Sequence, residues 1–489
     1  MSRALRDQDR RFFALVSEAA FANPFGARRS QLDAEIGEQP VETADWQEGT
    51  LQRVGARLQA LSADAKLDVR AFSSADRELV EHTLLFESFH RFAPELDRLI
   101  AAQARRRDAP LHVELAGAFL RELVGHGIED ARAVRLLELF YQMRRAYYFV
   151  SSELTGRSPS MRKLRESLWA AVFTSDLRRY ERHLWNRMED FSTIFVGETG
   201  TGKGAAAAAI GRSGFIPFDA KKNAFAYGFH ESFVPIHLNE FPETLFESEI
   251  FGHRKGAFTG AVEHYEGALA RCRPFGTVFF DEIGEATLQV QVKLLRVLQE
   301  RVYTPVGSRE PQHFHGRILA ATHRSLDELR AEGMMRDDFF YRLCSNVIEV
   351  PPLRVRLAES EDALAELVAH LCARITSAAN AELAAELTQT IARDLGPGYA
   401  FPGNVRELEQ CVRRVLLTGG CAKDAAAMRH DARSLAVELE AGVLSADALL
   451  GRYCALLYDR SGSYVEVARI TGLDRRTVKK QVESAARST

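Results

Sequence analysis

The chain has 489 residues, 46% hydrophobic and 27% charged, with a formal net charge of -3. This is the balance of a soluble globular protein of about three domains. It argues against a protein that coats nucleic acid nonspecifically, while leaving room for a local basic patch.

The six cysteines, Cys272, Cys344, Cys372, Cys411, Cys421 and Cys454, form no C-x-x-C pair. Neither a disulfide framework nor a zinc site is expected, and a reducing cytoplasm fits best. The first residues, MSRALRDQDRRFFALV, lack the apolar core and cleavage site of a secretory leader, and no run of about 18 apolar residues occurs to span a membrane.

Residues 1 to about 150 read as a helical regulatory or sensing domain. The stretch from Ser74 to Ile100 starts with a capping serine and acidic Asp76. It then carries Leu79, Val80, Leu84, Leu85 and Phe89 at helical spacing. Farther on, Leu136, Phe140, Met143, Tyr147 and Val150 alternate spacings of four and three. That pattern predicts either a core-facing amphipathic helix or a connecting helix that pairs with another subunit.

From about 153 to 420, short β-branched or aromatic runs alternate with helical stretches. The runs are STIFV (192–196), FVPIHL (233–238), TVFF (277–280) and RILAAT (317–322). This rhythm predicts an α/β domain with a mostly parallel sheet. Gly419-Gly420 and the alanine-rich stretch after them read as a linker, and residues 430–489 as a helical end with a basic segment.

Two motifs in the middle carry chemistry. STIFV runs into Gly197-Glu198-Thr199-Gly200-Thr201-Gly202-Lys203-Gly204 and then five alanines. A strand, a glycine-rich loop and a helix in that order let backbone N–H groups wrap a triphosphate, with Lys203 reaching its β- and γ-phosphates. Gly204 stands where Ser or Thr normally contacts Mg²⁺, so metal must depend on other ligands. The second motif is an apolar strand ending in Asp281-Glu282. Asp281 suits holding magnesium, and Glu282 suits polarising the attacking water as general base.

Between them, Gly256-Ala257-Phe258-Thr259-Gly260-Ala261 places an aromatic between glycines. That arrangement suits a mobile tip meeting a partner; the same residues also suit a glycine turn with Phe258 tucked into the core.

These residues bring a family into view. GAFTGA at 256–261 resembles the signature loop of the AAA+ activators of sigma-54 RNA polymerase, the bacterial enhancer-binding proteins. The resemblance runs over about 153–410 and includes ELTGRSPSMRKL (153–164), FPETLFESEIFGH (241–253), FFDEIGEATLQVQVKLLRVLQE (279–300), VPPLRVR (350–356) and FPGNVRELE (401–409). It implies an α/β AAA+ ATPase domain with a helical lid at about 355–420. It further implies ATP and Mg²⁺ as cofactors, a ring that is usually a hexamer, and sigma-54 RNA polymerase as the partner touched by Phe258 and Thr259. Arg336 and Arg342 match arginines that reach a neighbouring subunit's nucleotide. Arg406 matches a sensor arginine, and Thr322 and His323 occupy the first sensor position.

Departures from the family pattern are equally definite. His323 and His237 stand where the family commonly has Asn, Gly204 replaces a usual Glu, and Phe401 a usual Trp. Residues 173–191 and 211–230 are longer than the family leads one to expect and read as local elaborations.

The end of the chain reads as helix, turn, helix, with Gly472 in the turn, Asp474 as cap and Val478 and Val482 facing inward. Arg475, Arg476, Thr477, Lys479 and Lys480 are then placed to face double-stranded DNA. From Ser461 onward six Lys or Arg stand against three acids. The segment resembles the Fis-type DNA-binding end of the same family.

Overall fold

The computed structural model describes residues 3–38, 46–62, 67–106, 111–396, 398–421 and 444–485, with Leu435 and Leu439 between them. The alanine-rich stretch expected as a linker lies outside the described residues. The chain divides into two compact units, residues 1–381 with 403–409, and residues 382–402 with 410–489.

In the first unit, helices α1 (Asp7–Phe21), α2 (Ala27–Gly37), α3 (Trp46–Leu61), α4 (Ser74–Arg105), α5 (Ala116–Gly125), α6 (Asp130–Ser152) and α7 (Pro159–Phe173) precede a parallel sheet. The cap of α4 is Ser73 rather than the serine after it, and its Oγ accepts from the Asp76 N–H. Asp76 in turn accepts from the Leu5 amide at 3.0 Å and from Arg10 Nε at 2.8 Å. The Arg10 hydrogen bond holds the Asp76 carboxyl down at about 2.

Helix α6 settles the two readings of its apolar spacing. Leu136, Phe140 and Val150 are buried, and so are Leu137, Tyr141, Ala146 and Phe149 on its other faces. Glu138, Gln142 and Arg145 are buried on it as well, so the helix is covered on most of its faces. It packs on α4, α5 and α7 of its own chain: Phe89 and Phe119 meet Phe140 edge-on and Phe25 stacks on Tyr147, which stays partly exposed.

The sheet has strands β1 (Thr193–Val196), β2 (Phe233–His237), β3 (Thr277–Asp281), β4 (Arg317–Thr322) and β5 (Asn346–Glu349), in the spatial order β2-β3-β4-β1-β5. All neighbours are parallel, as alternation with crossover helices requires. Successive residues of a strand face opposite sides. Phe195 and Phe279 therefore join the core beneath the N-terminal helices, while Ile194, Val278 and Phe280 join a second core with Leu294 and Phe339. The first of these cores is continuous from Phe13 and Phe119 through Phe149 and Phe173 to the sheet. The helices of residues 1–150 thus share one apolar interior with the α/β layer.

The two elaborations lie where α6 meets that layer. Tyr141 stacks on Phe225 at 3.9 Å between centroids, and Phe149 meets Phe229 edge-on at 5.0 Å. Trp185, from the other elaboration, packs on Phe215 and Phe275.

In the second unit, helices at Ala446–Ser461, Tyr464–Thr471 and Arg475–Ala485 pack together. Cys454, Val467 and Val478, one from each, form their buried centre, with Val482 packed against it.

Candidate functional site

Strand β1 delivers the glycine loop to the C-terminal edge of the sheet, and helix α8 (Lys203–Gly211) begins directly after it. Gly200 has φ +81°, and a Cβ there would lie 2.4 Å from the Gly403 carbonyl. A side chain is therefore excluded twice, by conformation and by space. Segment 403–406 closes over the loop: Val405 N–H donates to the Gly200 carbonyl at 3.0 Å, and Asn404 Nδ2 donates to the Thr199 carbonyl at 3.1 Å. Asn404 Nδ2 also donates to Glu198, which Arg354 pairs at 2.7 Å.

The Lys203 ammonium donates to the carbonyls of Gly197 at 2.8 Å and Glu198 at 3.2 Å. Burial pulls its pKa below the usual lysine value, opposed by the nearby Glu282 and Asp281. Thr201 Oγ1 donates to the Glu198 carbonyl. Gly204 has open space around its Cβ position and contributes no hydroxyl.

Because β4 lies between β1 and β3, the acids at the end of β3 stand one strand away from the loop. Asp281 Oδ2 meets His237 Nδ1 at 3.0 Å. Glu282 adopts a left-handed backbone, φ 57° and ψ 50°, unfavourable for a side-chain-bearing residue by about 1–2 kcal/mol. Such a conformation persists where its surroundings impose it, and it clusters at working sites. The Glu282 Oε2 accepts from His323 twice, from ring Nδ1 at 2.7 Å and from the backbone N–H at 3.2 Å. Thr322 is buried, and its Oγ1 accepts from the Arg324 N–H at 3.1 Å.

These parts face one cavity of about 620 Å³. Thr199 to Gly204, His237, Asp281, Glu282, His323 and Arg406 line its polar side, and Met161, Leu367 and Leu371 its apolar side. That is room for a nucleotide-sized ligand with its charged end at a helix N-terminus. Buried Arg356 also lines it and donates to the Thr155 carbonyl at 2.6 Å. Burial lowers that guanidinium to about 10. Asp281 lines the cavity together with Glu153, Glu240, Glu282 and Glu409, and a carboxylate at that place suits a magnesium ion that otherwise takes phosphate oxygens and water.

Arg336 and Arg342 do not line this cavity. Both are exposed; Arg336 pairs with Asp338 at 2.8 Å. Asn404, Arg354, Arg356 and the Arg374–Glu409 pair, 2.6 Å apart, are site residues that the motifs did not single out. Asn404 and Arg356 stand inside the family-like stretches, but their residue types alone carried no signal.

The tip has Gly256 at φ +81° and Gly260 at φ +103°. Gly256 N–H donates to the Ala261 carbonyl and Ala261 N–H to the Phe258 carbonyl, closing a compact turn. Ala257 touches Gly307, and Ala261 is buried. Phe258 is 38% exposed with its ring edge-on to His253, and Thr259 is exposed. The exposed form of the turn is the one adopted.

At the chain's end, Asp474 accepts from the Arg476 and Thr477 amides and so caps the last helix. Arg475, Arg476, Lys479 and Lys480 are exposed, while Thr477 hydrogen-bonds Asp474 through its hydroxyl.

A parallel sheet with this strand order, a glycine loop after one strand and paired acids two places away define an α/β domain with a phosphate-binding loop at the carboxyl ends of its strands. Residues 175–350 match the family described as the Sigma-54 interaction domain. The chain is 39% identical over 262 residues to the DNA-binding transcriptional regulator NtrC of Azospirillum brasilense, covering 54% of this chain and 47% of that one. It is 38% identical over 314 residues to a Nif-specific regulatory protein of Azotobacter vinelandii, covering 64% and 53%. Among solved structures, NtrX of Brucella abortus superposes with a TM-score of 0.41 at 19% identity, covering 80% of this chain and 85% of that one. Residues 175–350 are thus similar to the Sigma-54 interaction domain, and the chain is similar in sequence to bacterial transcriptional regulators that include NtrC and the Nif-specific regulatory protein. It spans about half the length of the curated relatives it matches. Among the described residues, no helix is long and apolar enough to cross a membrane.

Proposed function

We propose that this chain is an ATP-hydrolysing transcription activator that remodels the closed promoter complex of sigma-54 RNA polymerase. The observation that carries the reading is that Lys203, Asp281 and Glu282 face one cavity of about 620 Å³. In this reading the glycine loop and Lys203 hold the phosphates of ATP, and Asp281 holds Mg²⁺, which neutralises charge on them. Glu282 orients and deprotonates the attacking water. Arg336 and Arg342, exposed and outside their own subunit's cavity, complete a neighbour's site in a ring, taken to be a hexamer. Arg406 and the Thr322-His323 pair follow the state of the nucleotide. The tip at Phe258 and Thr259 engages sigma-54, while Arg475, Arg476, Thr477, Lys479 and Lys480 hold double-stranded DNA upstream. The setting is the cytoplasm.

The test is steady-state ATP hydrolysis by the purified chain, followed by capture of sigma-54 in the presence of a phosphate transition-state analogue. Hydrolysis that depends on Glu282, with sigma-54 retained, supports the reading; retention equal with and without nucleotide overturns it. A second reading, a DNA-binding regulator that uses nucleotide only as a switch, draws on Gly204 and on the histidines bonded to both acids. It requires nucleotide binding with no Glu282-dependent turnover.

A further inference from the structure

We propose that the cavity enclosed by α1, α2, α4 and α6 is a regulatory site for a small neutral molecule with an apolar body and one group that both donates and accepts a hydrogen bond. The cavity holds about 60 Å³, more than the roughly 30 Å³ share of one water and less than the roughly 150 Å³ that admits benzene. Interiors are packed with few voids larger than a water, and this one stays open beside Ala20, where a larger side chain would enter it. Phe21, Phe86, Phe89 and Phe140 give it apolar walls, with Met143 beside them. Met143 is unbranched, so it yields to admit a planar five-membered ring.

The polar groups on its wall select the occupant. His90 Nδ1 meets the Phe86 carbonyl at 2.8 Å, and burial lowers the imidazole to about 4, so at neutral pH it carries one hydrogen. A carbonyl only accepts, so that hydrogen is on Nδ1 and Nε2 is left as an acceptor. Arg29 Nη2 stands 3.5 Å from it, long for a hydrogen bond. A hydroxyl, or an azole with N–H and bare nitrogen side by side, would donate to Nε2 and accept from Nη2. Charge on the wall is already matched: Arg29 pairs with Asp33 at 2.8 Å, and Glu181 lies 3.6 Å from Arg132. The His82 Nδ1 is taken by the Ser17 hydroxyl at 2.8 Å. A charged ligand would find no counter-ion, so a neutral one is selected.

The site is placed to be felt at the phosphate loop, and this half of the proposal rests on the nucleotide reading above. Phe140 and Met143 of α6 line the cavity. Two residues beyond Met143, buried Arg145 holds the carbonyls of Arg212 and Gly214, where the helix from Lys203 ends. An occupant that shifts α6 therefore moves that helix or strains those bonds.

The test titrates the full chain with pyrazole, which is neutral and planar and has its N–H beside an acceptor nitrogen, and with isoxazole, a ring of the same size without a donor. Isothermal titration gives the affinity, histidine-ring NMR gives the place, and a fluorescent ATP analogue is titrated with and without pyrazole. Pyrazole is expected to bind in the millimolar range, as so small a ligand must, and to shift the His90 resonances. Isoxazole is expected to bind about three-fold to ten-fold more weakly, the worth of one hydrogen bond. Two filling variants, Ala20→Val and the larger Ala20→Leu, should each remove binding, with thermal unfolding to show that they are folded. Saturating pyrazole should change the analogue's affinity by about five-fold or more, and the analogue should change pyrazole's by the same factor. No pyrazole binding, binding that survives in folded Ala20 variants, isoxazole as tight as pyrazole, or analogue affinity indifferent to pyrazole each overturns the proposal. A chain that binds no analogue removes the nucleotide reading instead, and the pyrazole titration then decides the site alone.

Discussion

The guanidinium of Arg145, wholly buried on α6, donates to the carbonyl of Arg212, the residue that follows the phosphate-loop helix, at 2.7 Å. Its other arm donates to the Gly214 carbonyl, also at 2.7 Å. One turn before it, Gln142 donates to the Ser213 carbonyl, and one turn earlier still Glu138 accepts from the Phe218 amide. A helix end leaves carbonyls without partners inside the helix, and here the helix before the α/β domain supplies donors to the chain that leaves it. Arg145→Met would fill the space and leave two carbonyls without donors. A loss of about 2–4 kcal/mol is expected, visible as a lowered Tm. Nucleotide affinity should weaken too, because the same helix begins at Lys203. An unchanged Tm would show that the buried cation contributes nothing.

Lys203 and Glu282 should separate binding from chemistry. Lys203→Ala removes the ammonium that sits over the loop carbonyls, and nucleotide binding is expected to fall. Glu282→Gln keeps the shape and the left-handed turn but cannot accept a proton. Nucleotide should still bind, while turnover drops by about 10²–10⁴-fold, the range of a lost general base. Isothermal titration beside a phosphate-release assay checks both; equal turnover in the Gln variant would exclude Glu282 as base.

Thr259 is exposed on the turn closed by the Gly256–Ala261 hydrogen bond. It stands away from the nucleotide cavity, so Thr259→Ala should leave hydrolysis within about two-fold while abolishing promoter opening, as loss of an exposed contact would. Open-complex formation on a sigma-54 promoter is the measurement. Survival of transcription would take the partner contact away from this turn.

Arg475 and Lys479 lie one turn apart on the last helix and are both exposed. If they meet phosphates, each Ala substitution should weaken DNA binding for all sequences alike and reduce the salt dependence by about one ion per contact. Titration at several salt concentrations reads this slope. A sequence-selective loss with unchanged slope would mean base contacts instead.

Among the N-terminal helices, burial lowers the His82 and His90 imidazoles from the usual 6.5 to about 4. Both pKa values are depressed, so the unfolded chain binds more protons between pH 6.5 and 4. Stability is therefore complete above pH 6.5 and drains away as pH falls through that window. For His82, enclosed and bonded to the Ser17 hydroxyl at 2.8 Å, the loss approaches about 3 kcal/mol. Acid titration followed by circular dichroism should show it, and His82→Gln should flatten the curve. An unaltered acid midpoint in that variant would refute the assignment.

Much of this molecule was written locally. The glycine loop, the paired acids and the Asp474 cap are each a short run whose residue types point to one backbone path or one chemistry, whereas the glycine-flanked tip left two placements of Phe258 open. Strand rhythm likewise implied a parallel sheet. The packed interior decided the rest. Whether the seam of α6 faced its own chain depended on what covered Phe140 and Tyr147, and rings far away in sequence, Phe89 and Phe25, pack on them. The histidines at 237 and 323 read only as replacements until the sheet brought each beside a different acid, 44 and 41 residues away. Asn404, more than 200 residues from the loop it closes, was silent for the same reason. Propensity, turn chemistry and phosphate binding act within a few residues; burial and hydrogen bonding between distant segments exist only once the chain has closed on itself.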